Sequence, residues 1–220
     1  MAVPEERTLR TDAARNRGRV VAAAAEVFAE RGLEASVTDV AARAGVGSAT
    51  VFRRFPTKQD LVDAVIADQL DDFARRAAEA AADPDPRRGL EVFCEQTCQA
   101  QAYDQGFKEA ITARMLDHEP LRRRRDELME HLRTVVDRAK AAGLVREDVA
   151  AEDLPVLLHA VAGCGAFDPS HTGLHRRYLA IMLAGLRPGA DDLPLPAPPP
   201  TQAAVDRGMS KNGPRGPQAA

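Results

Sequence analysis

Glycines and prolines cut this chain into blocks, and within almost every block the apolar residues return at every third or fourth position. That is the period of a helix with one buried face, whereas a half-buried strand needs strict alternation, and no alternating run of strand length occurs. The pattern predicts an all-α protein. At 220 residues the chain can bury a sizeable core in one large domain or two small ones.

Read in order, the punctuation predicts a first helix over residues 13–31, with Val20, Ala24, Val27 and Phe28 on one face and Gly32 ending it. Ser36 opens a second, short helix, and Ser36 with Asp39 has the spacing of a capping box, ending at Gly45. A third short helix follows over residues 48–55 and stops before Pro56, because proline disfavours helical geometry in the residue preceding it. Thr57 caps a long fourth helix over 58–82, striped by Val62, Ile66, Leu70, Phe73 and Ala77, until Asp83-Pro84-Asp85-Pro86 breaks it. Further helical blocks fall at 87–104, 106–116, 120–142, 152–164 and 172–187. Eight of the fifteen prolines lie in the last 33 residues, where apolar periodicity fades. Ordering such a segment would not recover its entropy cost, so 188–220 is expected to be a disordered tail and 1–12 a flexible amino terminus.

Several classes are excluded early. The apolar runs fall short of the roughly 18 to 20 residues of a membrane span, and MAVPEERTLR lacks the core of a signal peptide, so a cytoplasmic protein without a membrane partner is expected. Three cysteines, Cys94, Cys98 and Cys164, are too few for a secreted disulfide framework. With no G-x-S-x-G, Walker loop or dinucleotide fingerprint, no enzyme and no cofactor is expected. His171 and His175 are four apart but lack the H-E-x-x-H carboxylate, so no metal is expected there either.

The formal net charge of −3 hides an uneven distribution. Between Asp39 and Asp60 there is no acidic residue, while Arg43, Arg53, Arg54 and Lys58 fall in that interval. A local positive field of this kind suits a polyanion. Two short helices about a glycine turn, the second one basic, are the parts of a helix-turn-helix. Val40, Ala41 and Ala44 of the first can meet Val46, Val51 and Phe55 of the second, which leaves Ser48, Ala49, Thr50, Phe52 and Arg53 facing outward. Ala49 permits close approach and can touch a thymine methyl, Thr50 can bond to a base, and Arg53 can read guanine bidentately. Ser36, Thr38, Arg54 and Lys58 sit better for phosphates. Spacing alone leaves Phe52 open to a second reading, as a core aromatic beside Val51 and Phe55.

The stretch SVTDVAARAGVGSATVFRRFPTKQDLVDAV, residues 36–65, resembles the TetR family of bacterial transcriptional regulators, and the likeness extends back through RNRGRVVAAAAEVFAERGLEAS. The resemblance implies an amino-terminal helix-turn-helix domain (13–57), a helical ligand-binding and dimerisation domain (58–187), and a homodimer on a palindromic double-stranded DNA operator. It also implies a repressor released by a small-molecule effector. At Phe52 the family usually has a tyrosine that contacts a phosphate; at Gly47 a capping serine is common, and at Arg54 many relatives carry histidine.

For the effector, Phe73, Phe93, Thr97, Gln101, Phe107 and Ile111 offer an apolar set interrupted by hydrogen-bonding groups, fit equally for a pocket or a filled core. Phe73, on the connecting helix, is placed to report ligand binding to the DNA-binding domain. The last helix, with Tyr178, Ile181, Leu183 and Leu186, is apolar around more than one face and needs a second partner, which with the 154–164 helix points to a dimer interface. Arg122 to Arg125 read as a salt-bridged solvent face, with Arg122 and Arg123 paired to Asp126 and Glu127. A competing function is a helical ligand-binding or redox-sensing protein with a degenerate helix-turn-helix, in which Cys94 and Cys98, four apart on one face, would be the sensor.

Overall fold

The computed structural model describes residues 5–103, 118–166, 173–189 and 193–211. Among these residues the chain is all-helical: α1 (Glu5–Arg31), α2 (Val37–Ala44), α3 (Ser48–Arg54), α4 (Lys58–Ala82), α5 (Pro86–Tyr103), α6 (Glu119–Ala141), α7 (Asp153–Ala162), α8 (Leu174–Gly185) and α9 (Gln202–Lys211). Single 3-10 turns, Gly32–Glu34 and Gly163–Ala166, follow α1 and α7. The helix expected over 106–116, with Phe107 and Ile111, and His171 lie outside the described residues.

Local sequence sets the helix ends. Ser36 accepts from the Asp39 N–H while the Asp39 carboxylate accepts from the Ser36 N–H, the reciprocal cap that starts α2. Thr57 and Asp60 repeat the arrangement at the start of α4. Gly45 ends α2 at φ +68°, a left-handed conformation that costs glycine nothing and a side chain a clash with its own backbone. At Gly89 the reason is space: a Cβ there would sit 2.5 Å from the Ala80 carbonyl oxygen, so glycine lets α5 cross the end of α4.

Two apolar cores form, and the boundary between them does not fall between α3 and α4. The first gathers Val20, Val27 and Phe28 of α1, Val40 and Ala41 of α2, Val51 of α3 and Phe55, and continues through Leu61, Ile66 and Leu70 of α4. It also takes in Leu121 from the first turn of α6. The second holds Ala77 and Ala80 of α4, Leu90, Phe93, Cys94 and Cys98 of α5, Leu132 and Val136 of α6, Leu154 and Leu158 of α7, and Leu179 of α8. Thus α4 and α6, which pack along one another, each run through both cores. The division expected at residues 57 and 58 moves into α4, because the core of α1, α2 and α3 is completed by Leu61, Ile66 and Leu70 from its first turns.

Two further expectations are corrected. Helix α1 starts at Glu5, eight residues before the predicted start, so residues 5–12 continue a helix. The tail expected to be disordered is, in its described part, bound to the body. Leu193 accepts from Arg146 at 2.5 Å, the Leu195 N–H donates to Asp148 at 2.9 Å, and α9 buries Val205 and Asp206. Its prolines forbid helix over 193–200 but do not forbid an extended chain held by side chains elsewhere.

Candidate nucleic-acid interface

Helices α2 and α3 meet through a turn closed by Gly45 N–H to Ala42 O (3.2 Å) and Val46 N–H to Ala41 O (3.0 Å). Val51 is fully enclosed and Phe55 nearly so. With that edge of α3 inward, the opposite face is exposed: Ala49 and Arg53 lie fully outward, with Thr50 and Ser48 half-buried at its margins. Phe52 is 45% exposed, which settles its two readings in favour of the outward one. No side chain caps α3 at Gly47, whose carbonyl instead accepts from Thr50 at 2.8 Å.

The cations divide into those committed elsewhere and those facing outward. Arg43, expected to add to the field, is spent on Glu26 (2.9 Å) and Glu30 (2.6 Å) of α1, which hold its proton more tightly and push the Glu30 carboxyl below its usual range. Lys58 donates to the Leu33 carbonyl, leaving two of its three ammonium hydrogens for other acceptors. Arg53 is exposed and Arg54 half-buried at the end of α3. The Ser36 hydroxyl donates to Asp39 at 2.6 Å as well as accepting from its N–H, so its one proton is already used. The Ser36 hydroxyl and backbone N–H bonds, with Arg31 at 3.0 Å, hold Asp39 below the usual carboxylate range. Thr38, one position into α2, is exposed.

Some positioning groups had no signal in the local sequence. Arg19 of α1 donates to the Ala44 carbonyl at 2.8 Å, fixing the end of α2, and Arg17 lies over the Phe55 ring, 5.6 Å from its centroid. The arginine run of α6 is salt-bridged, but with other partners than those expected. Arg122 and Arg123 turn back to Glu119, Arg124 crosses to Asp71 of α4 at 2.7 Å, and Arg125 is buried against Asp206 and Asp126.

In the second core, Phe73 and Phe93 are buried, with Arg76 lying 5.9 Å from the Phe73 ring centroid. Thr97 Oγ1 and Gln101 Oε1, one turn apart on α5, are buried without a hydrogen-bond partner among the described residues. The tertiary fold brings all three cysteines inside: Cys94, Cys98 and Cys164 are buried as free thiols. Burial pushes the Cys98 thiol up to about 12 and raises Cys94 as well, the opposite of what a reactive sensor thiol needs. His175 is buried at the start of α8. Among the described residues no group of three or more His, Cys, Asp or Glu is placed to hold a metal ion, and no helix is long and apolar enough to cross a membrane.

Comparison with known proteins agrees with this geometry. Residues 20–65 match the profile of bacterial regulatory proteins of the tetR family, and residues 85–188 match the C-terminal domain of SbtR-like transcriptional regulators. A TetR transcription regulatory protein from Mycobacterium vanbaalenii is 31% identical, with 82% of this chain and 99% of that one covered at a TM-score of 0.62. The chain belongs to the TetR family. A TetR regulator from Streptomyces coelicolor is 28% identical, covering 79% of this chain and 99% of its own at a TM-score of 0.63. FadR from Bacillus subtilis, solved with stearoyl-CoA, shares the fold at 17% identity, covering 77% and 98% at a TM-score of 0.57. No curated protein matches. The TetR chain is therefore a helix-turn-helix DNA-binding transcriptional regulator, of a family that is not enzymatic.

Proposed function

We propose that this TetR protein is a homodimeric, ligand-responsive repressor acting on a palindromic operator in the cytoplasm. The observation that carries the reading is the outward face of α3. It offers a methyl, a hydroxyl, an aromatic ring and a guanidinium at Ala49, Thr50, Phe52 and Arg53, with Phe52 45% exposed. Arg53 would read a base edge, Ala49 and Thr50 would line the groove floor, and Ser48, Thr38, Arg54 and Lys58 would hold phosphates. Of the two α2 residues expected at phosphates, Ser36 already gives its hydroxyl proton to Asp39, which favours Thr38 for that role.

The dimer reading is supported by α8, whose Leu179 faces the core while Tyr178 and Ile181 are 43% and 54% exposed, and by Val156 on α7, 43% exposed. Two copies joined there would present two α3 helices to half-sites roughly 34 to 36 Å apart. The effector reading is supported by Phe73, Phe93, Thr97 and Gln101: buried apolar walls with two hydroxyl and amide oxygens left for a ligand to satisfy. A ligand that binds the DNA-incompetent arrangement more tightly would release the operator.

Fluorescence anisotropy tests the core of this. The protein is titrated into DNA from upstream of its own gene and into scrambled DNA of equal length, at two salt concentrations. A preference of at least about 10³ with a steep loss of affinity on adding salt is expected. Weak, equal binding to both DNAs, and no ligand selected from random DNA, would refute the reading.

A further inference from the structure

The C-terminal segment has no part in the function so far. The C-terminal family profile ends at residue 188, and the relatives matched over 99% of their own length use only 79% and 82% of this chain. Beyond residue 188 the described chain is nonetheless anchored twice. At the turn after α6, Arg146 binds Asp148 in a fork (2.6 and 2.8 Å), and the pair grips the passing backbone through Leu193 O and Leu195 N–H. At the other end Asp206 of α9 meets Arg125, their side chains 7% and 10% exposed, and Gln202 donates to the second carboxylate oxygen at 2.9 Å. Val205 is buried beside it, and α9 touches α7.

These anchors lie at opposite ends of α6. From Arg125 to Ala141 the helix rises about 24 Å, at 1.5 Å per residue. The chain between the anchors, from Leu195 to Gln202, passes through four prolines and bends at Pro196 and Ala197. Arg125 lies one turn beyond Leu121, the residue by which α6 enters the DNA-binding core.

We propose that residues 193–211 form an intramolecular strap, and that the docking of Asp206 on Arg125 holds the amino-terminal turns of α6 and, through Leu121, the DNA-binding core in a fixed relation to the second core. Both side chains of the pair are buried in the docked state, so removing the Asp206 carboxylate leaves Arg125 with Asp126 alone and weakens the docking. Only the consequence for operator affinity rests on the proposed repressor function.

Hydrogen exchange followed by mass spectrometry tests the strap in the full chain. In Asp206→Ala, and in a chain ending at Gly189, residues 119–128 are expected to exchange at least tenfold faster than in the native protein, with residues 132–139 unchanged. The double variant Arg125→Met/Asp206→Leu replaces the ion pair by apolar contact and is expected to restore slow exchange. Unchanged exchange at 119–128 in the two single changes would overturn the proposal. So would a change of oligomeric mass on truncation, which would place the strap between copies. For the operator, loosening the two cores is expected to weaken binding to a two-half-site DNA about tenfold, by lowering the effective concentration of the second half-site, and to leave single half-site binding unchanged. Fast exchange with unaltered operator affinity would sink the regulatory role, whereas failure of the native protein to bind any DNA would sink the repressor reading instead.

Discussion

Leu121→Ala probes the least expected contact of the fold. Leu121 is only 1% exposed, and it comes from α6, which packs along α4, to join the core built by α1 to α4. Truncating a fully buried leucine removes its transfer free energy and leaves a cavity that neighbours fill only in part, at a cost of about 3 to 5 kcal/mol. For a chain of this size each kcal/mol lowers the melting temperature by about 2 to 4 °C, so a fall of about 6 to 20 °C is expected by calorimetry or circular dichroism. Total stability does not localise the loss. Leu132→Ala, at a residue 2% exposed in the second core, should cost a similar amount, and it serves as the control. Hydrogen exchange separates them: Leu121→Ala should accelerate the amides of α1 to α3, and Leu132→Ala those of α5, α7 and α8. A loss below about 1 kcal/mol for Leu121→Ala, or faster exchange confined to the second core, would refute the placement of Leu121 in the DNA-binding body.

Other substitutions test the interface and the thiols. Phe52→Tyr should tighten operator binding by about 1 kcal/mol per half-site, the worth of one phosphate hydrogen bond, read as a lower Kd in anisotropy. Arg53→Ala should relax sequence preference, while Lys58→Ala should weaken all DNA alike and reduce the salt slope by about one; uniform loss from both would show that base and phosphate contacts are wrongly divided. Ile181→Asp, at an exposed position, should give a folded monomer by analytical ultracentrifugation and abolish operator binding, whereas a persistent dimer would move the interface elsewhere. The native Cys98 thiol, pushed up to about 12 by burial, should resist alkylation at pH 8 until the protein unfolds. Since its folded value lies above the ordinary value of about 8.5, its contribution to stability is complete below that pH and declines as pH rises toward 12. Rapid labelling of the folded protein would revive a redox-sensing role.

The helices from α1 to α8, the capping box of Ser36 and Asp39, the cap at Thr57, the glycine turn and the outward face of α3 were legible in the sequence because each is decided within a few residues: a cap by a side chain three positions away, a turn by one glycine, a face by the helical period. Phe52 was only half legible, since periodicity alone places it beside the core and burial of Val51 and Phe55 turns it outward. What spacing could not reveal are contacts between residues far apart in the chain. The commitment of Arg43 to Glu26 and Glu30 removes a cation that local charge counting assigned to DNA. Leu121 crosses into the first core, Cys94 and Cys98 are enclosed in the second, and Arg125 captures Asp206 eighty-one residues away. The proline-rich end shows the limit most plainly. Composition predicts disorder over 188–220, yet its described part includes helix α9 and is held by Arg146, Asp148 and Arg125 on other elements, so an entropy cost that local interactions cannot offset is offset by tertiary ones.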